Sequence, residues 1–214
     1  MEYAVEMSEV NKKIGDYQVL DNINLKVAKG SILGIEGRNA SGKSMLFKAI
    51  AGLIKLDSGN INVMGHSNLS PQALNEIGVL IEYPGFLPNF SGYDNLKCLA
   101  SIRGVISDID IIEALEKVGL DPKDTRHFHK YSLGMRQKLG IAAAIMEHPR
   151  VLLLDEPFNN LDVESIKEIH NMLLELHSNN ELTILLTSHS KDDIETLCTD
   201  LCKISNGRLL EVKK

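Results

Sequence analysis

The sequence predicts an α/β fold: a parallel-sheet core, an antiparallel β layer at its N-terminal end, and an α-helical subdomain inserted between the halves of the core. Three observations predict it. Short apolar runs at 31–36 and 151–154 are the kind of strand buried in a parallel sheet. Residues 1–65 alternate as strands around tight turns, whereas residues 83–147 read as mostly helical. Residues 148–214 then return to strand–helix alternation. The chain of 214 residues is expected to be one domain, 1–214, with the helical subdomain at about 83–147.

In order, strands are expected at 4–10, 17–27, 32–35 and 60–63, the last after the Asp57-Ser58-Gly59 turn. A helix is expected over 45–54. Ser91-Gly92-Tyr93-Asp94 and Ser107-Asp108-Ile109-Asp110 are S-x-x-D boxes, in which the serine caps a helix start and the aspartate reaches back. A further helix runs to Glu147, before Pro149. Then come a strand at 151–154, a helix at 163–177, a strand at 182–186 and a helix at 190–199, capped by Ser190 and Asp193. Asn206-Gly207 marks a closing hairpin between 201–205 and 208–212.

The octapeptide Gly37-Arg38-Asn39-Ala40-Ser41-Gly42-Lys43-Ser44 fits the phosphate-binding loop G-x-x-x-x-G-K-[ST] at every defined position, and Met45 opens the helix behind it. Strand, glycine loop and helix N-terminus together make an anion site, with backbone N–H groups converging on it. Lys43 is expected on the β/γ-phosphates and Ser44 on Mg²⁺. The strand at 151–154 ends in Asp155-Glu156-Pro157, at the sheet edge where ligands bind in doubly wound folds. Asp155 is placed to hold Mg²⁺ opposite Ser44. Glu156 could orient or deprotonate a water that attacks the γ-phosphate, a contribution of about 10²–10⁴-fold for a positioned base. A base for water argues against a nucleotide kinase, which must keep water out.

Composition bounds the alternatives. Hydrophobic residues make up 43% of the chain, enough for a large core. No apolar run approaches the ~20 residues of a membrane span. The acidic N-terminus has neither the basic nor the apolar region of a secretory signal. The expectation is a cytoplasmic protein, or one held at a membrane by a partner. A net charge of −6 with interspersed signs gives no basic face, so no nucleic-acid partner is expected. Cys98, Cys198 and Cys202 match no disulfide or zinc spacing. Cys198 and Cys202, four apart on the expected helix, read as buried free thiols sharing one face.

Tyr131-Ser132-Leu133-Gly134-Met135 lies just upstream of the Asp155-Glu156-Pro157 strand. Alone, Ser132 reads as an ordinary N-cap. In this order the segment resembles the L-S-G-G-Q signature of ABC ATPases, and the resemblance covers essentially the whole chain. Asn159-Asn160-Leu161-Asp162 resembles the D-loop, although Asp162 also suits the cap of the next helix. Thr187-Ser188-His189 resembles the strand end that carries the switch histidine. The resemblance implies a P-loop NTPase (RecA-like) fold that binds ATP with Mg²⁺, with His189 on the γ-phosphate.

Departures from the pattern are informative. Ala40 stands where many relatives have glycine, and its methyl is small. Leu133 and Met135 replace a glycine and a glutamine, while Ser132 and Gly134, the phosphate-facing pair, are kept. The adenine-stacking aromatic falls near Ile14, with Tyr17 as substitute. Glu82 occupies the Q-loop glutamine position, where a carboxylate still ligates Mg²⁺ but adds negative charge beside the triphosphate. Glu82, the segment 84–96 and 131–135 resemble the ATP-binding subunits of lantibiotic-immunity and bacitracin-resistance transporters.

The resemblance implies an ATPase that drives transport, here export of an antimicrobial peptide or similar membrane-active compound. A second nucleotide-binding subunit, identical or a close paralogue, would complete each ATP site with its Ser132 and Gly134. Separate transmembrane permease subunits would contact residues 83–105, with the chain peripheral on the inner face of the cell membrane. The alternatives are a soluble ABC ATPase acting in assembly of another complex, and a nucleotide-binding regulator without turnover. The intact Glu156 and His189 weigh against the regulator.

Overall fold

The chain opens with two long antiparallel strands, β1 (Tyr3–Ile14) and β2 (Tyr17–Ala28), joined through Gly15, whose φ of 57° only a residue without Cβ adopts freely. The computed structural model describes residues 2–82, 85–180 and 182–213. Along β2, Leu20, Ile23, Leu25 and Val27 are buried while Asn22, Asn24 and Lys26 face solvent, the alternation of a half-buried strand. Strand β3 (Ile32–Glu36) enters the phosphate loop and α1 (Lys43–Ile50) leaves it. The expected extension of this helix to 54 is cut short at Gly52, which takes a φ of 69°. Strand β4 (Ser58–Val63) returns to pair with β1, and β5 (His66–Ser67) adds a short edge. Helix α2 (Pro71–Asn75), capped by Ser70, leads to β6 (Ile77–Leu80). Two residues of strand and five of helix are too short for a periodic signal, so β5 and α2 had no counterpart in the sequence reading.

Between the halves of the core lie α3 (Gly92–Arg103), α4 (Asp108–Lys117) and α5 (Leu133–Ile145). Ser91 and Ser107 start the first two as their sequence boxes predict: Ser91 Oγ accepts from the Asp94 N–H, and Ser107 and Asp110 form a reciprocal box. This region is less helical than expected. Gly104 and Gly119, both with positive φ, stop α3 and α4, and residues 118–132 run irregularly apart from one 3₁₀ turn at Phe128–Lys130. Tyr83 and Pro84, where the expected permease-contact segment begins, lie outside the described residues.

The remaining elements are β7 (Val151–Leu154), α6 (Val163–Asn180), β8 (Thr183–Thr187), α7 (Lys191–Leu197), β9 (Asp200–Ser205) and β10 (Arg208–Lys213). They complete a six-stranded sheet in the order β10-β9-β3-β8-β7-β6, parallel except for the β9–β10 hairpin. The antiparallel layer is β2-β1-β4-β5. Sequential residues of the central strands feed opposite cores. Leu152, Leu154, Ile184 and Leu186 face the cluster built by α3 to α7, whereas Val151, Leu153, Leu185 and Ile35 face α1 and the antiparallel layer. Being apolar on both faces, β7 and β8 are legible as uninterrupted runs.

One helix boundary corrects the reading of the cysteines. Helix α7 ends at Leu197, and Cys198 is already extended. The Thr199 N–H donates to the Ile32 carbonyl at 2.9 Å, drawing the chain into the sheet, so Cys202 lies on β9 and shares no helical face with Cys198. Both thiols are free, and burial pushes each up to about 12. Among the described residues no helix is long and apolar enough to cross a membrane.

Candidate nucleotide-binding and hydrolysis site

The phosphate loop is bent by backbone demands that its residues meet unequally. A Cβ on Gly37 would lie 2.6 Å from the Ile204 carbonyl, and one on Gly42 (φ 112°) would lie 2.8 Å from the Val19 carbonyl, so both positions require glycine. Ala40 sits at φ 61°. Its constraint is therefore conformational rather than the size of its methyl, and left-handed backbone costs an L-residue roughly 1–2 kcal/mol. Glu82, Glu156 and Asn160 share this conformation, as do Glu9, Asn22, Met64 and His148 away from the site. Lys43 is buried and folds over the loop, its Nζ donating to the Gly37 carbonyl at 2.8 Å and the Arg38 carbonyl at 3.4 Å.

The ends of β7 and β8 bring the acidic residues to this loop. Ser44 Oγ donates to Asp155 Oδ2. Thr187 Oγ1 donates to Asp155 Oδ1 at 2.8 Å and accepts from the Glu156 N–H at 2.8 Å. His189 Nε2 lies 3.1 Å from Glu156 Oε1, off the line of a hydrogen bond, and this buried oxygen has no hydrogen-bond partner among the described residues. Burial pushes the Glu156 carboxyl above its ordinary value, with His189 and Lys43 pulling it back. A partly desolvated carboxylate held above its ordinary value suits a general base.

A cleft of about 840 Å³ runs over these groups. It is lined by Arg38, Asn39, Ala40, Ser41, Gly42, Lys43, Ser44 and Met45, by Asp155, Glu156 and His189, and at its mouth by Ile14 and Tyr17. Tyr17 is 80% exposed at the β1–β2 hairpin and offers the cleft an aromatic face. The structure thus gathers most of the sequence-predicted site. Ser44 and Asp155 offer an oxygen pair suited to Mg²⁺, which keeps waters and substrate phosphates as its other ligands. Among the described residues no three His, Cys, Asp or Glu side chains converge on one metal position.

Four predicted residues line other cavities. Ser132, Gly134 and Asp162 line a different cavity of about 730 Å³. Ser132 Oγ caps α5, accepting from the Met135 N–H at 3.1 Å, and Asp162 Oδ1 accepts from the Ser165 N–H at 2.8 Å. Both capping readings are therefore realised. Glu82 lines a small cavity of about 160 Å³ with Gln137, Asp155, Glu156 and Asn159, and its Oε1 accepts from Lys48 Nζ at 2.6 Å.

Sequence reasoning missed further contributors. Thr187 clasps Asp155 and the Glu156 backbone; its position at the strand end beside Ser188-His189 was the available signal. Lys48 pairs with Glu82 across 34 positions, and nothing local announces it. Gln137 Nε2 donates to the carbonyls of Glu156 (3.2 Å) and Pro157 (3.0 Å). Asn206 and Gly207 line the cleft, and the Gly207 N–H donates to the Ser41 carbonyl at 2.9 Å, tying the closing hairpin to the phosphate loop.

Known proteins resemble this chain over most of its length. The profile of the ABC transporter family matches residues 20–159. The bacitracin transport ATP-binding protein BcrA of Enterococcus faecalis is 40% identical over 213 residues, covering 99% of this chain and 69% of its own length. The lantibiotic transport ATP-binding protein SrtF of Streptococcus pyogenes is 35% identical over 210 residues, covering 98% of this chain and 90% of its own. The fold matches that of the ATP-binding cassette MJ0796, solved as a dimer bound to ADP and Pi, with a TM-score of 0.89 at 23% identity over 98% of both chains. Profile and relatives span the phosphate loop and both carboxylates, and the protein belongs to the ABC transporter family as an ATP-binding, ATP-hydrolysing subunit.

Proposed function

We propose that this chain powers the export of an antimicrobial peptide or similar membrane-active compound, acting as one ATP-binding domain over 1–214 with a helical subdomain at about 83–147. The kinship with bacitracin and lantibiotic transport proteins supports the substrate class. Two such subunits, identical or close paralogues, sandwich two ATP molecules. The observation that carries this reading is the separation of the two cavities. Lys43, Ser44 and Asp155 line one, while Ser132 and Gly134 line the other, so one chain supplies half of each site.

In this reading the loop N–H groups at 37–45 and Lys43 hold the phosphates, and Tyr17 stacks on the base. Ser44 and Asp155 would hold Mg²⁺, with Glu82, which lines a small cavity together with Asp155, joining through water, and the metal would neutralise charge on the β/γ-phosphates. Glu156 orients the attacking water and takes its proton. His189 contacts the γ-phosphate, and Asp162 lies at the dimer seam. Transmembrane permease subunits dock on the helical subdomain, holding the chain on the inner face of the membrane. The groove of about 600 Å³ beside Phe90, Lys97, Ser101 and His127 supports that docking, as do exposed Ile102 and Val105. Asn95 stiffens this surface by bonding to the Leu87 backbone on both its N–H and carbonyl sides.

The test is Glu156→Gln. It is expected to bind ATP, lose nearly all turnover, and accumulate an ATP-bound dimer on a sizing column. Unchanged turnover would remove Glu156 from its role. Lys43→Ala should instead weaken nucleotide binding. Co-purification with a polytopic membrane protein separates transport from an assembly function.

A further inference from the structure

Behind His189 lies a buried polar chain that touches none of the cleft. Asp193, in the first turn of α7, is 5% exposed, and His170, on α6, is 8% exposed. Ser188 Oγ donates to Asp193 Oδ2 at 2.6 Å and accepts from the Ser190 N–H at 3.0 Å. The Asp193 N–H reaches back to Ser190 Oγ at 3.4 Å. Residues 188–193 thus close into a knot from which the exposed His189 projects. The other carboxylate oxygen, Asp193 Oδ1, lies 3.2 Å from His170 Nε2, an approach too bent for a full hydrogen bond. The His170 ring stands edge-on to Phe158, with centroids 4.6 Å apart and planes at 83°. Phe158 follows Glu156 by two residues, on the turn whose carbonyls Gln137 holds.

Helix capping does not account for this chain. Ser190 already caps α7, so Asp193 has no need of a second buried partner. Burying a carboxylate and an imidazole together carries a desolvation cost that an apolar pair of the same volume avoids. Burial lowers the basicity of His170 while Asp193 opposes it. What the pair does accomplish is geometric: it bridges the turn after Glu156 to the turn that carries His189.

We propose that His170, acting through Asp193 and Ser188, is a positioning residue for ATP hydrolysis that fixes the 188–190 turn and so the placement of His189 against Glu156. This rests on the reading of Glu156 and His189 as the hydrolytic pair. Displacing a reacting or contacting group by about 1 Å costs on the order of 10²-fold in rate, so a loosened turn should be visible in turnover.

The test measures MgATP turnover by the full chain in His170→Leu, His170→Gln and Ser188→Ala, with His189→Ala as reference. His170→Leu and Ser188→Ala are expected to lower kcat about tenfold, with KM for MgATP changed less than about twofold. His170→Gln keeps an N–H near the position of Nε2 and is expected to recover most of the loss. Ser188→Ala cuts the link at its outer end without altering the core, so it reports even if His170→Leu folds poorly. Wild-type kcat in Ser188→Ala overturns the inference. So does a glutamine variant no better than leucine, or a loss carried by KM. If His189→Ala hydrolyses ATP at the wild-type rate, the hydrolytic reading fails and takes this inference with it. An inactive His189→Ala beside a fully active Ser188→Ala sinks the inference alone.

Discussion

Lys48 Nζ donates to Glu82 Oε1 at 2.6 Å, joining the helix behind the phosphate loop to the carboxylate at the Q-loop position. The extra negative charge expected beside the triphosphate therefore arrives with its own counter-charge. Glu82 is largely exposed, so the pair contributes little to stability, about 0–1 kcal/mol. Its consequence is electrostatic.

Removing the counter-charge should hurt nucleotide binding more than removing the acid. Lys48→Met is expected to raise KM for MgATP about threefold, because Glu82 then faces the phosphates unpaired. Adding Glu82→Gln in the same chain should restore KM, and Glu82→Gln alone should shift it less than about twofold. A double-mutant cycle on KM measures the coupling, expected near 0.5–1 kcal/mol. Additive effects of the two substitutions would show that the pair has no bearing on the nucleotide.

The raised Glu156 carboxyl has both kinetic and thermodynamic consequences. As a base it must be ionised, so the acid limb of kcat at saturating MgATP should reach half its height above the ordinary value of 4.5. The stability effect has the opposite sense. A group whose folded pKa is raised contributes stability that is present below its unfolded pKa and is lost as pH rises through the folded one. Glu156→Gln should therefore stabilise the nucleotide-free chain at neutral pH, and this gain should disappear below about pH 4.5. Thermal unfolding of both chains at the two pH values checks it.

How far the site is written in the sequence depends on whether its parts are contiguous. Gly42, Lys43, Ser44, Asp155 and Glu156 sit in short runs whose spacing carries their chemistry, and the structure brings them to one cleft. Ser132 and Asp162 were ambiguous between cap and contact, and the structure realises the caps while setting both at a second cavity. Lys48 escaped because its partner lies 34 residues away and nothing local announces the pair, whereas Thr187 was within reach of the strand-end pattern it shares with Ser188 and His189. The central strands were legible because β7 and β8 are apolar on both faces. The end of α7 was not: one backbone bond and two side-chain bonds between Thr199 and Ile32 decide between helix and strand there, so Cys198 was misplaced.

Thr187 is the clearest of the missed residues to test. Its hydroxyl is fully buried and serves two masters, donating to Asp155 and accepting from the Glu156 backbone. Thr187→Val keeps the shape and strands the Glu156 N–H, at a cost of about 1–3 kcal/mol. Loosening of both carboxylates should lower kcat about tenfold and raise the Mg²⁺ concentration needed for half-maximal turnover. Thr187→Ser keeps the oxygen and should stay within about threefold of wild type. Equal activity of the valine and serine variants would leave the hydroxyl no part in the site.

Gly78 is a point of close contact between the helical subdomain and the core. On β6, a Cβ at this position would stand 2.0 Å from the Ala144 carbonyl on α5 and 2.7 Å from Pro149 Cγ. Both neighbours are backbone-fixed, so Gly78→Ala must push β6 and α5 apart rather than turn a side chain aside. Overpacking of this kind costs about 1–3 kcal/mol, occasionally more. At about 2–4 °C per kcal/mol for a chain of this size, Tm should fall by about 2–12 °C. The strand pairs with β7, whose end carries Asp155, and the Asp155 N–H donates to the Leu80 carbonyl at 2.7 Å. Movement of β6 should therefore also reach the metal side of the cleft. Below its lowered Tm, Gly78→Ala is expected to need more Mg²⁺ for half-maximal turnover, whereas the phosphate loop, anchored on β3, should keep its affinity for ATP without metal. Calorimetry with metal titration of turnover distinguishes this from a purely global loss of stability, in which Tm falls and the Mg²⁺ requirement stays constant.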